Sequence, residues 1–499
     1  MAPQFDVFDM HIPPLYALIP GCLAVLTILY TLSRVIYNIY FHPLSSYPGP
    51  KSHAATRLTY VYYHLTGQLP YRCQQLHETY GDVVRIAPDE LSFTNADAWK
   101  DIYSHRQGHQ PMPKDMSFYN IPPNGAHHLI TANRADHSRQ RRLVSHAFPD
   151  KALREQEPLI KGYVDLLIQR LHERANSGSL DMVAWYNWTT FDLIGDLAFG
   201  ESFGCLENCT YHPWISMLFA SIKAGAFLSS LKRYGIKWMM IVLVPKGLLK
   251  SRTENMQLTK QKVMKRLEQG TSRPDFMSHI LRHNDEKGMN GPEIIANSTL
   301  LIVAGSETTA TLLSGATYYL LKNPRVMKKL QKEIREAFKV EEDIDFAGVN
   351  GLEYMLAVLD ESFRMYPPVP TGLPRVVPGD GDVINDRWVP GGTSVSVNNW
   401  STYRSEANFR EPNSFIPERF LDDPRFASDN KHALQPFSLG PRNCVGRNLA
   451  YAEMRLILAQ VLWNFDMELA PESDNWASQK IFTLWQKGPL YVKLTPVVR

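Results

Sequence analysis

The sequence predicts a mainly α-helical protein with a small β region, preceded by one N-terminal transmembrane helix. Three observations carry this expectation. Long apolar runs of helical length recur, as in LIKGYVDLLIQRLHER (159–174), GPEIIANSTLLIVAGSETTATLLSGATYYLL (291–321) and NLAYAEMRLILAQVLWNF from Asn448. β-Branched runs are few: GDVVRIAPDELSFTN (81–95) reads as a hairpin broken at Pro88–Asp89, and 367–377 and 382–400 read as strands around Gly-rich turns. Near the start, Leu15 to Leu32 reads LYALIPGCLAVLTILYTL, without a charge.

Continued through Phe41, that apolar stretch is long enough to cross a bilayer, and a membrane tolerates its Pro20 and Gly21. A cleaved signal peptide would want basic residues ahead of the span, whereas residues 1–14 carry only Asp6 and Asp9. Basic residues (Arg34, Lys51, Arg57) follow it instead, which places the N-terminus in the lumen and the remainder in the cytosol. The expected organisation is a lumenal N-terminus (1–14), a single-pass anchor (15–41) in the endoplasmic reticulum membrane, a proline-rich hinge HPLSSYPGPK (42–51), and one cytosolic catalytic domain (52–499). A net charge of +3 over 499 residues gives no argument for nucleic acid. Five cysteines, irregularly spaced, make no disulfide framework and indicate a reducing compartment.

The most informative stretch is FSLGPRNCVG, Phe437 to Gly446. It sets Cys444 in a turn built from Gly440, Pro441 and Gly446, just ahead of a strongly helical run. The positive end of that helix and the charge of Arg442 both favour the thiolate. A thiolate on a tight apolar loop is what a haem iron needs of an axial ligand. Glycines 440 and 446 would let backbone approach the porphyrin, and Phe437 would shield the sulfur from water. A lone cysteine in a helix-entry turn is ordinarily structural, but the ten-residue spacing is not ordinary. FxxGxRxCxG resembles the haem-binding signature of the cytochrome P-450 family, and NIYFHPLSSYPGPK resembles the start of the catalytic domain in its filamentous-fungal members. The resemblance covers essentially residues 40–499.

A second site lies in the apolar run 291–321, whose one internal charge, Glu307, is followed by Thr308. A carboxylate there is costly unless paired, protonated or used. Gly305 leaves room beside it, and a Thr308 hydroxyl bonded to the carbonyl four residues back would open the helix locally. AGSETT (304–309) resembles the family's oxygen-activation motif, which implies Thr308 ordering water and Glu307 relaying protons.

The resemblance assigns further residues. Glu361 and Arg364 match the family's ExxR pair, with Arg419 of PERF as the third member supporting the cysteine loop. His137 and Arg141 have the spacing of a propionate-binding pair, Arg375 would meet a propionate, and 369–373 and 482–490 would line the substrate pocket. The implied fold is the cytochrome P-450 fold, and the implied cofactor is haem b (iron protoporphyrin IX). The implied activity is a monooxygenase that uses O2 on a lipophilic small molecule. No flavin- or NADPH-binding stretch is present before Arg499, so electrons are expected from a separate NADPH-dependent reductase. A haem-thiolate isomerase or dehydratase, which needs no reductase, is the competing reading, and a non-catalytic haem sensor a more distant one. The very apolar 217–245 reads either as core or as a lid that touches the membrane.

Overall fold

The computed structural model describes residues 15–122, 124–234, 246–268, 270 and 275–498. Residues 1–14, expected to be lumenal, and the last eleven residues of the stretch read as core or lid, 235–245, lie outside the described residues.

Helix α1 (Leu15–Ile36) runs into a π-helical turn, Tyr37–Phe41. Ile19–Phe41 is the one stretch among the described residues long and apolar enough to cross a membrane; its apolar window is exposed, and only Asn38 near its end is buried against the domain. The hinge that follows is not a free spacer. Leu44 is fully buried, the Pro48 carbonyl accepts the Arg85 N–H, and the Tyr47 hydroxyl donates to the Trp388 carbonyl at 2.7 Å. Apolar side chains and unpaired backbone groups at a strand edge draw the Pro-rich segment onto the domain.

Six further helices position the site: α2 (Arg134–Val144), α3 (Met182–Phe199), α4 (Pro213–Tyr234), α5 (Gly291–Lys322), α6 (Glu353–Met365) and α7 (Arg447–Asn464). α5 is the axis of the domain and packs against α3, α6 and α7. Its start is a capping box: Asn290 accepts the Glu293 N–H while the Glu293 carboxylate accepts the Asn290 N–H, with Pro292 in the first turn. The α3–α5 crossing is close because position 305 is glycine; a Cβ there would lie 2.8 Å from Cδ1 of Ile194. Gly305 therefore serves helix packing, not the space beside Glu307 that the sequence reading gave it.

The main sheet has four strands in the order Val83–Ala87, Glu90–Phe93, Ser394–Val397, Arg375–Val376. Only the central pair is parallel, with Leu91 opposite Val395. The long loop 104–130 is fastened to the edge strand by a bridge between Lys114 and Arg375. At the C-terminus, the hairpin Lys480–Phe482/Leu484–Gln486 turns at Thr483, whose φ is 75°, and leads through Lys487 into the last strand, Tyr491–Pro496.

Candidate active site

The cysteine loop is closed by its own backbone: the Cys444 N–H donates to the Phe437 carbonyl at 2.8 Å and the Asn443 N–H to the Gly440 carbonyl at 3.0 Å. Gly440 has φ 75°, and a Cβ there would lie 2.2 Å from the Tyr103 carbonyl, so packing against the chain dictates that glycine. Gly446 caps α7 at an ordinary negative φ, its nearest neighbour being the Phe148 ring. Packing against Tyr103 thus accounts for the glycine at 440, a cause the sequence reading did not contain. The Phe437 ring packs on Phe363 of α6 at 5.1 Å and on Tyr451 of α7 at 5.3 Å, which ties the loop to both helices.

Cys444 is itself exposed. Crowding by the loop nevertheless pushes its thiol above the usual value, against the Gly446 N–H and the charges of Arg141 and Arg447. The helix end does favour the thiolate, through the Gly446 N–H, but burial outweighs it, and the arginines that help are Arg141 and Arg447 where the sequence reading had Arg442. α7 begins only at Arg447, and Arg442 donates instead to the Ala132 carbonyl at 2.8 Å. A cation bound at the sulfur is what would deprotonate it.

Behind the loop, Arg364 grips Glu361 with two hydrogen bonds of 2.8 Å, and Nε of Arg419 reaches the same carboxylate at 3.2 Å. Arg419 also pairs with Asp429, a fourth member that sequence reasoning missed. All four side chains are fully buried. The spare guanidinium donors of Arg364 meet the carbonyls of Tyr403, Pro412 and Ser414.

On the other flank, positive charges gather without acids. Lys114, Arg375 and Arg442 act on one another, and burial plus the two arginines hold the Lys114 ammonium well below its ordinary value. The same burial and the Arg375 charge push Arg442 down to about 10. His137 is held at about 4 by burial and by Arg442, Arg141, Lys114 and Arg375. Nε of Arg375 and Nη1 of Arg442 are buried without a hydrogen-bond partner among the described residues. Among the described residues no carboxylate pairs with any of these cations. Buried donors in this state call for an anionic guest, and the two propionates of a haem have that chemistry. The residues present therefore fit the group. Arg141 stands apart: its fork is occupied by Asn443, donating to the carbonyl at 2.5 Å and to Oδ1 at 2.9 Å. It braces the cysteine loop where the sequence reading had it gripping a carboxylate. Lys114 was missed because an aperiodic loop gives no spacing to read.

On α5, the Thr308 hydroxyl donates to the Ala304 carbonyl at 2.6 Å, yet the helix continues unbroken and does not open there. Ala304 is exposed and Thr308 half-exposed, so this face looks into open space. Glu307 is buried on a different face and pairs with Lys487 at 2.6 Å. Consecutive helical residues point roughly 100° apart, so the acid and the alcohol do not act from one place as they stand. Lys487 was visible in FTLWQKGPL only as a lone cation in an apolar stretch.

Comparison with known proteins agrees with this geometry. Residues 48–494 match the family model for cytochrome P450. The chain is 52% identical over 476 residues to the cytochrome P450 monooxygenase astA of Talaromyces wortmannii, covering 95% of this chain and 96% of that one. It is 51% identical over 470 residues to the cytochrome P450 monooxygenase astJ of Aspergillus oryzae, covering 93% and 94%. It is 46% identical over 476 residues to averantin hydroxylase of Dothistroma septosporum, covering 94% and 90%. With the helical fold, the cysteine loop and this similarity along nearly the whole chain, the protein belongs to the cytochrome P450 family and is a haem-thiolate monooxygenase of the fungal type.

Proposed function

We propose that this enzyme hydroxylates, epoxidises or further oxidises a lipophilic small molecule, an intermediate of fungal secondary metabolism, with electrons from a separate NADPH-dependent reductase at the endoplasmic reticulum membrane. The observation that carries the reading is the exposed thiol of Cys444 together with a half-buried group of cations that has no acids of its own among the described residues. The name of averantin hydroxylase, 46% identical, supports hydroxylation of a small molecule. The apolar stretch Ile19–Phe41 supports the membrane site.

In this reading haem b binds through Cys444, and when bound it supplies the activation of O2 and the insertion of one oxygen atom. Arg375, Arg442, Lys114 and His137 receive the propionates, relieving donors that otherwise stay buried and unpaired. Phe437, Gly440 and Gly446 shape the loop, Arg141 clamps Asn443, and Glu361, Arg364 and Arg419 fix the wall behind it. Thr308, on the open face of α5, holds water by its hydroxyl, and Glu307 relays protons toward it.

Two measurements test this. Reduced protein treated with CO should give the red-shifted Soret band of a thiolate-ligated haem, and Cys444→Ser should lose it. In the native host, Cys444→Ser should accumulate a precursor with one oxygen fewer than the missing product. Accumulation of an isomer, or of a compound differing only by water, would make the enzyme an isomerase or dehydratase instead.

A further inference from the structure

The buried charge on α5 has a partner that the family motif does not contain. Nζ of Lys487 lies 2.6 Å from Oε1 of Glu307 and 2.6 Å from Oγ1 of Thr311, one turn further along α5. Thr311 also donates to the same carboxylate oxygen at 3.3 Å, which closes a three-membered ring of contacts. The side chains of Lys487 and Glu307 are 4% and 3% exposed, so solvent neither screens nor replaces the pair. The other carboxylate oxygen, Oε2 of Glu307, is buried without a partner among the described residues. Thus one oxygen is overcommitted and the other free, and the ammonium is what fixes the direction of the side chain. That direction is not toward Thr308, whose hydroxyl is engaged with Ala304 on the open face.

We propose that Lys487 is a positioning residue that holds the Glu307 carboxylate away from the oxygen-binding face of α5 and so gates its proton relay. Freed from the ammonium, the carboxylate needs only a side-chain rotation to reach the neighbouring face, since a backbone shift is not required between adjacent helical positions. Lys487 follows the hairpin that turns at Thr483, so a molecule pressing on that turn would move the ammonium and release the acid. The gate lies on the C-terminal segment, 180 residues from the acid it controls. The inference rests on the monooxygenase reading of Glu307 and Thr308.

The test is the infrared C–O stretch of CO bound to the reduced holoenzyme, a probe that responds to charge arriving near the distal face. Wild type, Lys487→Arg and Glu307→Gln should share one band, because in each no carboxylate faces the probe. Lys487→Met should shift or split it, and Lys487→Met/Glu307→Gln should restore it. A wild-type band in Lys487→Met, or a shift that persists in the double variant, overturns the proposal. If Lys487→Met does not fold, recovery of folding and haem uptake in the double variant supports the pairing; failure of both overturns it. A wild-type protein with no red-shifted Soret band on adding CO would instead sink the haem-thiolate reading itself.

Discussion

Two charge clusters flank the cysteine loop, one fully buried and one half-buried, and they are built on opposite principles. In the first, Glu361 and Asp429 answer Arg364 and Arg419, and carbonyls of Tyr403, Pro412 and Ser414 take the remaining donors. In the second, Lys114, Arg375 and Arg442 face one another with no carboxylate among the described residues, and two of their nitrogens lack any partner. A self-sufficient cluster belongs to the fold. A cluster of one sign is complete only with a guest, and the sign of its charge describes that guest. The difference lets architecture be told from binding site without reference to the motif that lies between them.

The first cluster is the place to break this comparison with the largest effect. Glu361→Gln removes the carboxylate that two buried guanidinium groups share. Leaving buried charge unpaired costs about 3–5 kcal/mol, a large part of a domain's stability. The expected outcome is little soluble protein, and no red-shifted Soret band from what remains, read by expression level and the reduced-CO spectrum.

The second cluster should respond with two opposite signs. Lys114→Met removes a desolvated ammonium that Arg375 and Arg442 repel, so the haem-free protein should be about 1 kcal/mol more stable, a rise in melting temperature of about 1 °C for a domain of this size. Haem affinity should fall, because a charge-assisted hydrogen bond of about 1.5–3 kcal/mol is lost, roughly ten- to a hundredfold. Calorimetry of the haem-free protein and haem titration separate the two. A purely structural lysine would lower the melting temperature and leave haem affinity unchanged.

How much of this was legible in the sequence follows from how far apart the interacting residues lie. The cysteine loop and the Glu361–Arg364 pair are local, so their residues stand at fixed offsets in the sequence that a family resemblance can pick out. The helical class and the hairpin at Pro88–Asp89 were legible for the same reason, through periodicity and turn residues. Lys487 and Glu307 are 180 positions apart, and no local pattern records that they meet. The same holds for Lys114 against Arg375, which a single bridge between a loop and an edge strand brings together. Arg141 shows a subtler failure. Its position in a motif was readable, but which acceptor fills its fork depends on Asn443, a neighbour only after folding. Gly440 fails likewise, since the carbonyl that excludes a side chain there belongs to Tyr103.

A third buried titratable group sharpens the comparison, because no basic side chain among the described residues pairs with it. Glu453 of α7 is almost fully buried, and among the described residues only the Thr309 hydroxyl of α5 reaches it, at 3.3 Å. Its other oxygen has no partner. Burial raises its carboxyl to about 8, the Thr309 hydrogen bond opposing only slightly. A carboxyl so placed keeps its proton at neutral pH, which is the remaining way to bury an acid. The sign for stability follows from proton counts. Between about 4.5, where the unfolded chain loses this proton, and about 8, where the folded chain does, the folded state binds one more proton. Stability from this group is therefore complete below the lower value and is lost as pH rises toward the upper, by at most about 1.4 kcal/mol per pH unit. Glu453→Gln keeps the shape and removes the titration. Melting temperatures of the two holoenzymes should differ more at pH 8 than at pH 6, with the variant gaining at the higher pH. Parallel curves would mean that Glu453 is ionised in the fold, and that an undetected cation or water answers it between α5 and α7.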